Sequence, residues 1–209
     1  MRKNLNQKNR LSEGILIEPP KKPSKDSDST IFRSIDYGID INRRVIYYSG
    51  PINIHTAEYI NQRIDCICDL TNNYKAAIDL DLTSPGGDVY GMLGAIDILE
   101  NSPVDINVIG RGMIMSAATL ILMAASGQRS VTPNSTVMIH HIRSWIEGTT
   151  KDIFSEVKHL EFLQNKVYEL YAKYSNKNKD FFQKKGNEDW YLTPEDCLKF
   201  KIIDTITGA

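Results

Sequence analysis

The sequence has little of what would place it outside a cell or in a membrane. It has only three cysteines in 209 residues, Cys66, Cys68 and Cys197. So few, in an odd number, argue against a disulfide framework and for reduced thiols. Cys66 and Cys68 are two apart, so on a helix they face different ways, and ordinary small apolar residues are expected there rather than a metal or redox pair. Long hydrophobic runs are missing too. The longest, 117–125 (AATLILMAA), contains a threonine, falls well short of the roughly 18 residues of a membrane span, and suits a buried helix. MRKNLNQKNRLSEG carries charge but no apolar core of a secretory signal. Charge of one sign is not in excess either: 25 Lys and Arg stand against 26 Asp and Glu, a formal net of −1. That removes any overall attraction to nucleic acid or anionic membranes, so neither is expected as a partner. The expected location is the cytoplasm (a host's cytoplasm if the gene is viral), with an organelle as the alternative.

What is present suits one domain with an appendage. Residues 1–30 are rich in Lys, Asn, Ser, Asp and Pro, cannot bury a core, and read as a flexible tail. Order is expected from near Ile31, with one domain over 31–209. Along it, strand and helix signals alternate. The segment 44–49 (RVIYYS) is β-branched and aromatic and ends at Gly50-Pro51. The spacing predicts a helix over 56–70, with Thr56 as N-cap and Ile60, Ile64, Ile67 and Cys68 on one face. Alternation in 77–83 (AIDLDLT) predicts a half-buried strand with Asp79 and Asp81 on its second face. SPGG (84–87) breaks it, and a helix over 89–101 and a strand over 104–110 follow. Another helix opens near Ser116, and strand signals over 131–139 flank a turn at Pro133-Asn134. A long amphipathic helix is expected over 149–174, capped by Thr150. Its stripe is Ile153, Val157, Leu160, Leu163, Val167, Leu170 and Tyr171. Repeated β-α alternation predicts an α/β domain with parallel crossovers.

Two neighbourhoods can carry chemistry. The glycines of SPGG free the backbone for a sharp turn or a close ligand approach, although a tight turn alone explains such a motif. In 110–125, a strand ends in glycines and Ser116 opens an apolar helix. Taken alone that serine is an N-cap. It could instead be a nucleophile whose oxyanion meets the free N–H groups of the helix. A serine nucleophile needs a base. Of the four histidines, His55 precedes a helix and His159 sits on the polar side of the long one. His140 and His141 follow the strand-like 137–139, and neighbours at a strand end face opposite ways. The base is therefore His140 or His141, and spacing alone leaves the acid open.

Taken together, these segments resemble the ClpP family, the proteolytic subunits of ATP-dependent Clp proteases. The motifs that carry the resemblance are RRVIYYSGPI (43–52), LTSPGG (82–87), GMIMSAATLILMAASGQR (112–129), PNSTVMIHH (133–141), GTTKDI (148–153) and DWYLTPEDCLKFKIIDTI (189–206). The resemblance implies a ClpP/crotonase-like superhelix of β-α units with a protruding handle over about 142–175. It puts Ser116 at the nucleophile position, His140 at the base and Asp189 at the acid. The N–H groups of Gly87 and Ala117 would form the oxyanion hole. It implies hydrolysis of unfolded polypeptides or peptides in an oligomeric chamber of one heptameric ring or two stacked rings. It implies no metal or cofactor for this chain, ATP being used by an AAA+ unfoldase partner. Strand-like 142–146 would pair with an extended substrate.

Some positions depart from the family pattern. Asp79, Asp81 and Arg111 stand where the family's docking pocket is usually apolar or aromatic, which implies altered unfoldase docking. Asn187 and Glu188 replace an Asp-Arg pair that helps link rings. The alternatives are a catalytically silent scaffold or regulatory subunit and a crotonase-type acyl-CoA enzyme. A capsid-maturation protease would share the peptidase chemistry.

Overall fold

The computed structural model describes residues 38–207; the expected tail and the onset of order near Ile31 lie outside the described residues. Strands β1 (Ile39–Asp40) and β2 (Val45–Ser49) open the fold, followed by helix α1 (Thr56–Thr71), β3 (Ile78–Ser84), α2 (Val89–Glu100) and β4 (Ile106–Met115). Next come α3 (Ala117–Met123), β5 (Arg129–Val131), β6 (Thr136–Ile139), α4 (Thr150–Lys173), α5 (Lys179–Lys185), β7 (Trp190–Leu192), α6 (Pro194–Lys199) and β8 (Thr205–Ile206). The main sheet runs β1-β2-β3-β4-β5-β8, and β6 pairs with both β4 and β7. Every pairing from β2 to β8 along that path is parallel. This is the expected α/β fold of ClpP type, with helical crossovers between parallel neighbours.

The core follows from the two periodicities. β3 buries Ile78, Leu80 and Leu82 and turns Asp79 and Asp81 to its other face. Against its apolar face lie Ile60, Ile64, Ile67 and Cys68 of α1 and Met92, Ala95, Ile96 and Leu99 of α2. Among the described residues, no helix is long and apolar enough to cross a membrane.

The structure corrects several boundaries. β4 does not end at the glycines; it continues to Met115 through a bulge. Leu82 faces Gly110 but Ser84 faces Ile114, so extra residues are accommodated around Gly112, whose φ is +62°. Beyond the bulge β4 leaves β5 and pairs with β6. Thr56 is the first residue inside α1 rather than its cap. His55 holds the cap position without a side-chain bond, while Thr56 Oγ1 accepts from Asn53 N at 2.9 Å. In α4 the cap is Thr149, not Thr150, because Asp152 three residues on completes a capping box with it.

The α4 stripe divides in two. Leu163, Val167 and Tyr171 are buried, whereas Ile153 and Val157 are exposed, so half of the amphipathic face projects beyond the core. The segment 142–146 forms no strand. The N–H of Ile142 is taken by Gln164 Oε1 at 2.6 Å and that of His141 by the Gly186 carbonyl, which removes them from any ladder. His159 is not merely solvated: its ring stacks with Tyr90 and Phe162, and Nε2 meets the Tyr90 hydroxyl at 2.5 Å.

Gly91, in the first turn of α2, passes close to the start of α1. A Cβ there would lie 2.0 Å from the Asn53 carbonyl oxygen. Helix propensity alone favours Gly→Ala by about 1 kcal/mol, but the backbone overlap reverses the sign. Gly91→Ala is expected to lower the urea midpoint; an unchanged or raised midpoint would contradict this packing.

Candidate active site

Strand ends gather the candidate residues. β4 and β6 run parallel with Met115 opposite Met138, and β7 runs antiparallel to β6 with Ile139 opposite Trp190. Ser116, His140 and Asp189 each lie one or two residues beyond these pairs, so register alone delivers all three to one place.

Ser116 has φ +56° and ψ −120°, a strained conformation for a residue with a side chain. Its own N–H donates to the Met138 carbonyl at 2.7 Å, and its carbonyl accepts from Thr119 N at 3.0 Å. Buried Thr119 donates through Oγ1 toward the Ile114 and Met138 carbonyls, at 3.0 and 2.9 Å, tying α3 to both strands. The sequence shows this threonine only as a break in an apolar run.

Ser116 occupies the N-cap position of α3 but makes no capping bond. Its Oγ lies 2.7 Å from His140 Nε2 instead. Ser116 is thus a cap by position but not by bonding. Of the two histidines, His140 meets the serine, and His141 turns its Nδ1 to the Gly186 carbonyl.

Asp189 is adjacent but not engaged. His140 Nδ1 lies 3.6 Å from Asp189 Oδ1, beyond hydrogen-bond range, and Nδ1 is buried with no hydrogen-bond partner. The same Asp189 oxygen is paired with the Arg143 guanidinium. Arg143 is absent from the sequence-based candidates. Its only signal in the sequence is a cation three residues past the base.

The SPGG turn packs directly on the serine. Gly86 has φ +90°, and a Cβ there would lie 2.5 Å from the Met115 carbonyl oxygen and 2.7 Å from Ser116 Cβ. Gly87 has φ +149° and bridges Ile52, whose carbonyl oxygen would lie 2.1 Å from an added Cβ. Both positions therefore need glycine. Gly87, Ser116, Ala117, His140 and Arg143 line one cavity of about 360 Å³, whose apolar wall includes Met92, Leu120 and Val167. Ala117 begins α3, where the backbone N–H has no intrahelical acceptor. Among the described residues no cluster of three or more His, Cys, Asp or Glu side chains could hold a metal ion.

Burial is the largest influence on the His140 imidazole and holds its pKa below the ordinary 6.5. Arg143 pushes the same way, Asp189 opposes, and His141 adds a smaller lowering.

The fold is of the kind that the motifs imply. A family model described as Clp protease matches residues 33–209. An ATP-dependent Clp protease proteolytic subunit of Deinococcus radiodurans is 28% identical over 176 residues, covering 83% of this chain and 85% of that protein. A protein of the same name from Bacteroides fragilis is 29% identical over 164 residues, 78% of each chain. Another, from Porphyromonas gingivalis, is 28% identical over 164 residues, 78% of this chain and 73% of that one. The chain belongs to the Clp protease family.

A base works as neutral imidazole, so if His140 is the base for Ser116, reactivity of that serine is lost as pH falls through the His140 pKa. Because that pKa is lowered, half-loss of fluorophosphonate labelling at Ser116 is expected below pH 6.5. A half-point above 6.5 would contradict the environment described for His140.

Proposed function

We propose that this chain is a serine endopeptidase that cleaves unfolded polypeptides or peptides through Ser116, His140 and Asp189. The observation that carries the reading is the 2.7 Å contact between Ser116 Oγ and His140 Nε2, made by a serine held at positive φ. A residue kept in strain and denied its capping bond is readily explained by a reacting role. His140 takes the hydroxyl proton as Ser116 attacks the peptide carbonyl. The resulting imidazolium returns a proton to the leaving amine, and water then hydrolyses the acyl-enzyme. The N–H groups of Gly87 and Ala117 stabilise the oxyanion. The apolar wall of the cavity suits a hydrophobic side chain beside the scissile bond. No step requires a metal or cofactor.

We further propose self-assembly into a ring or stacked rings enclosing these sites, with 31–209 as the peptidase domain. The exposed half of α4, with Ile153, Phe154, Val157 and Phe162, offers apolar surface for a second copy. The relatives' names, ATP-dependent proteolytic subunits, support an unfoldase partner that consumes the ATP. Docking is expected to differ from the family pattern. Asp79 accepts from Asn107 Nδ2 at 2.8 Å, and Asp81 is paired with Arg111, so an apolar loop would have to bury satisfied charges.

A second reading, a silent scaffold, is favoured only by the gap between Nδ1 and Asp189. Peptide hydrolysis by size-fractionated protein decides between them. Wild type is expected to cleave and Ser116→Ala to lose about 10³-fold or more. Equal rates, or none in either protein, would remove the peptidase reading. A standard bacterial Clp ATPase is expected to drive degradation of folded substrate by this chain far less than by its own proteolytic subunit. Equal stimulation would remove the proposal of altered docking.

A further inference from the structure

Asp189 has two suitors, and in this structure the wrong one for catalysis holds it. The Arg143 guanidinium pairs with Oδ1, the oxygen that also lies nearest His140 Nδ1. Nδ1 is left buried without an acceptor. A buried ring nitrogen without a partner is costly, and in the tautomer with its proton on Nδ1 the imidazole gains if the carboxylate moves to it. The Arg143 side chain is 63% exposed, and the segment 140–147 that carries it has no regular structure. Water can therefore take over the guanidinium's hydrogen bonds, whereas Nδ1 is buried. The two partners thus compete for one carboxylate across a small displacement.

We propose that Arg143 is a positioning residue that restrains the reaction by withholding Asp189 from His140. The proposal rests on the peptidase reading above. With the pair intact, Ser116 and His140 are in contact but nothing fixes the imidazole tautomer or stabilises the imidazolium. When Arg143 lets go, Asp189 accepts from Nδ1 and the three side chains act together. The titratable and charged groups facing the imidazole are Asp189 ahead of β7 and Arg143 and His141 after β6, with Ser116 and Tyr171 of α4 lining the same cavity. Arg143 disfavours the charged ring and Asp189 favours it. Removing the guanidinium and freeing the carboxylate therefore both raise the pKa of the base.

Fluorophosphonate labelling and peptide hydrolysis of assembled wild type, Arg143→Gln, Arg143→Lys, Asp189→Asn and the Arg143→Gln/Asp189→Asn double variant test this. Arg143→Gln is expected to raise kcat about three- to tenfold with KM little changed. That is the gain when a productive state populated at roughly 10–30% becomes the major one. Its acid-side half-point should move upward from wild type. Arg143→Lys, which keeps the charge, should stay near wild type. Added salt should speed wild type by screening the exposed pair and leave Arg143→Gln unchanged. In the Asp189→Asn background the gain should vanish, because Arg143 acts through the carboxylate. Arg143→Gln at or below wild-type rate, or a gain that persists without Asp189, overturns the proposal while Ser116-dependent activity stands. Absence of Ser116 labelling in wild type would instead overturn the peptidase reading, and this inference with it.

Discussion

The site depends on the register of one short strand. β6 has four residues, yet it is paired on one side with the far end of β4 and on the other with β7. Its Met138 carbonyl receives both the Ser116 N–H and the Thr119 hydroxyl. Side chains on a strand alternate, so a slip of one residue would turn His140 away and bring His141 to the serine. The slip is opposed by burial, since Val137, Met138 and Ile139 are all enclosed. The packing that stabilises the domain and the alignment that brings serine and histidine together are thus the same interaction.

The β4 bulge serves the same end. A strand that stayed paired with β5 would carry Ser116 past the cavity. By admitting extra residues near Gly112, β4 bends toward β6 and ends where α3 can begin. The turn into α3 leaves Ser116 at φ +56°, at a cost of about 1–3 kcal/mol. Gly86 allows the preceding loop to close against it, and Gly87 allows the same loop to pass Ile52, neither with a Cβ in the way. Bulge, strained serine and glycine pair are one construction, and Thr119 pins it from beneath.

Much of this was legible in the sequence, for reasons that can be separated. β3 and α1 announce themselves because their apolar residues repeat at the periods of strand and helix. Ser116 was not legible from its surroundings, which suit a cap; only several motifs in order, 84–87, 112–129 and 133–141, gave it a role. The α4 cap lies one residue before the expected one because Thr149 and Thr150 are chemically equal candidates, and the choice falls to Asp152. The exposure of Ile153 and Val157 was hidden because an amphipathic stripe records a face that avoids water without recording what covers it. Arg143 was illegible because its partner lies 46 positions away, and a loop arginine carries no periodic signal.

Magnitudes indicate why so small a gap at Asp189 matters. Closing 3.6 Å to about 2.8 Å at an effective dielectric of about 20 gains only about 1 kcal/mol of Coulomb energy against an imidazolium. Charge attraction alone therefore changes little between the two arrangements. The larger difference lies in hydrogen bonding: a buried N–H without an acceptor costs about 1–3 kcal/mol, and at 3.6 Å Nδ1 has none. The exposed guanidinium loses about 0–1 kcal/mol on parting from the carboxylate, the usual contribution of an exposed ion pair. The balance is therefore close, and favours Arg143 where the ion pair lies at the top of its range and the cost at Nδ1 at the bottom of its own. It is open to whatever alters the 140–147 segment, whether assembly, substrate in the adjoining cavity, or salt around Arg143.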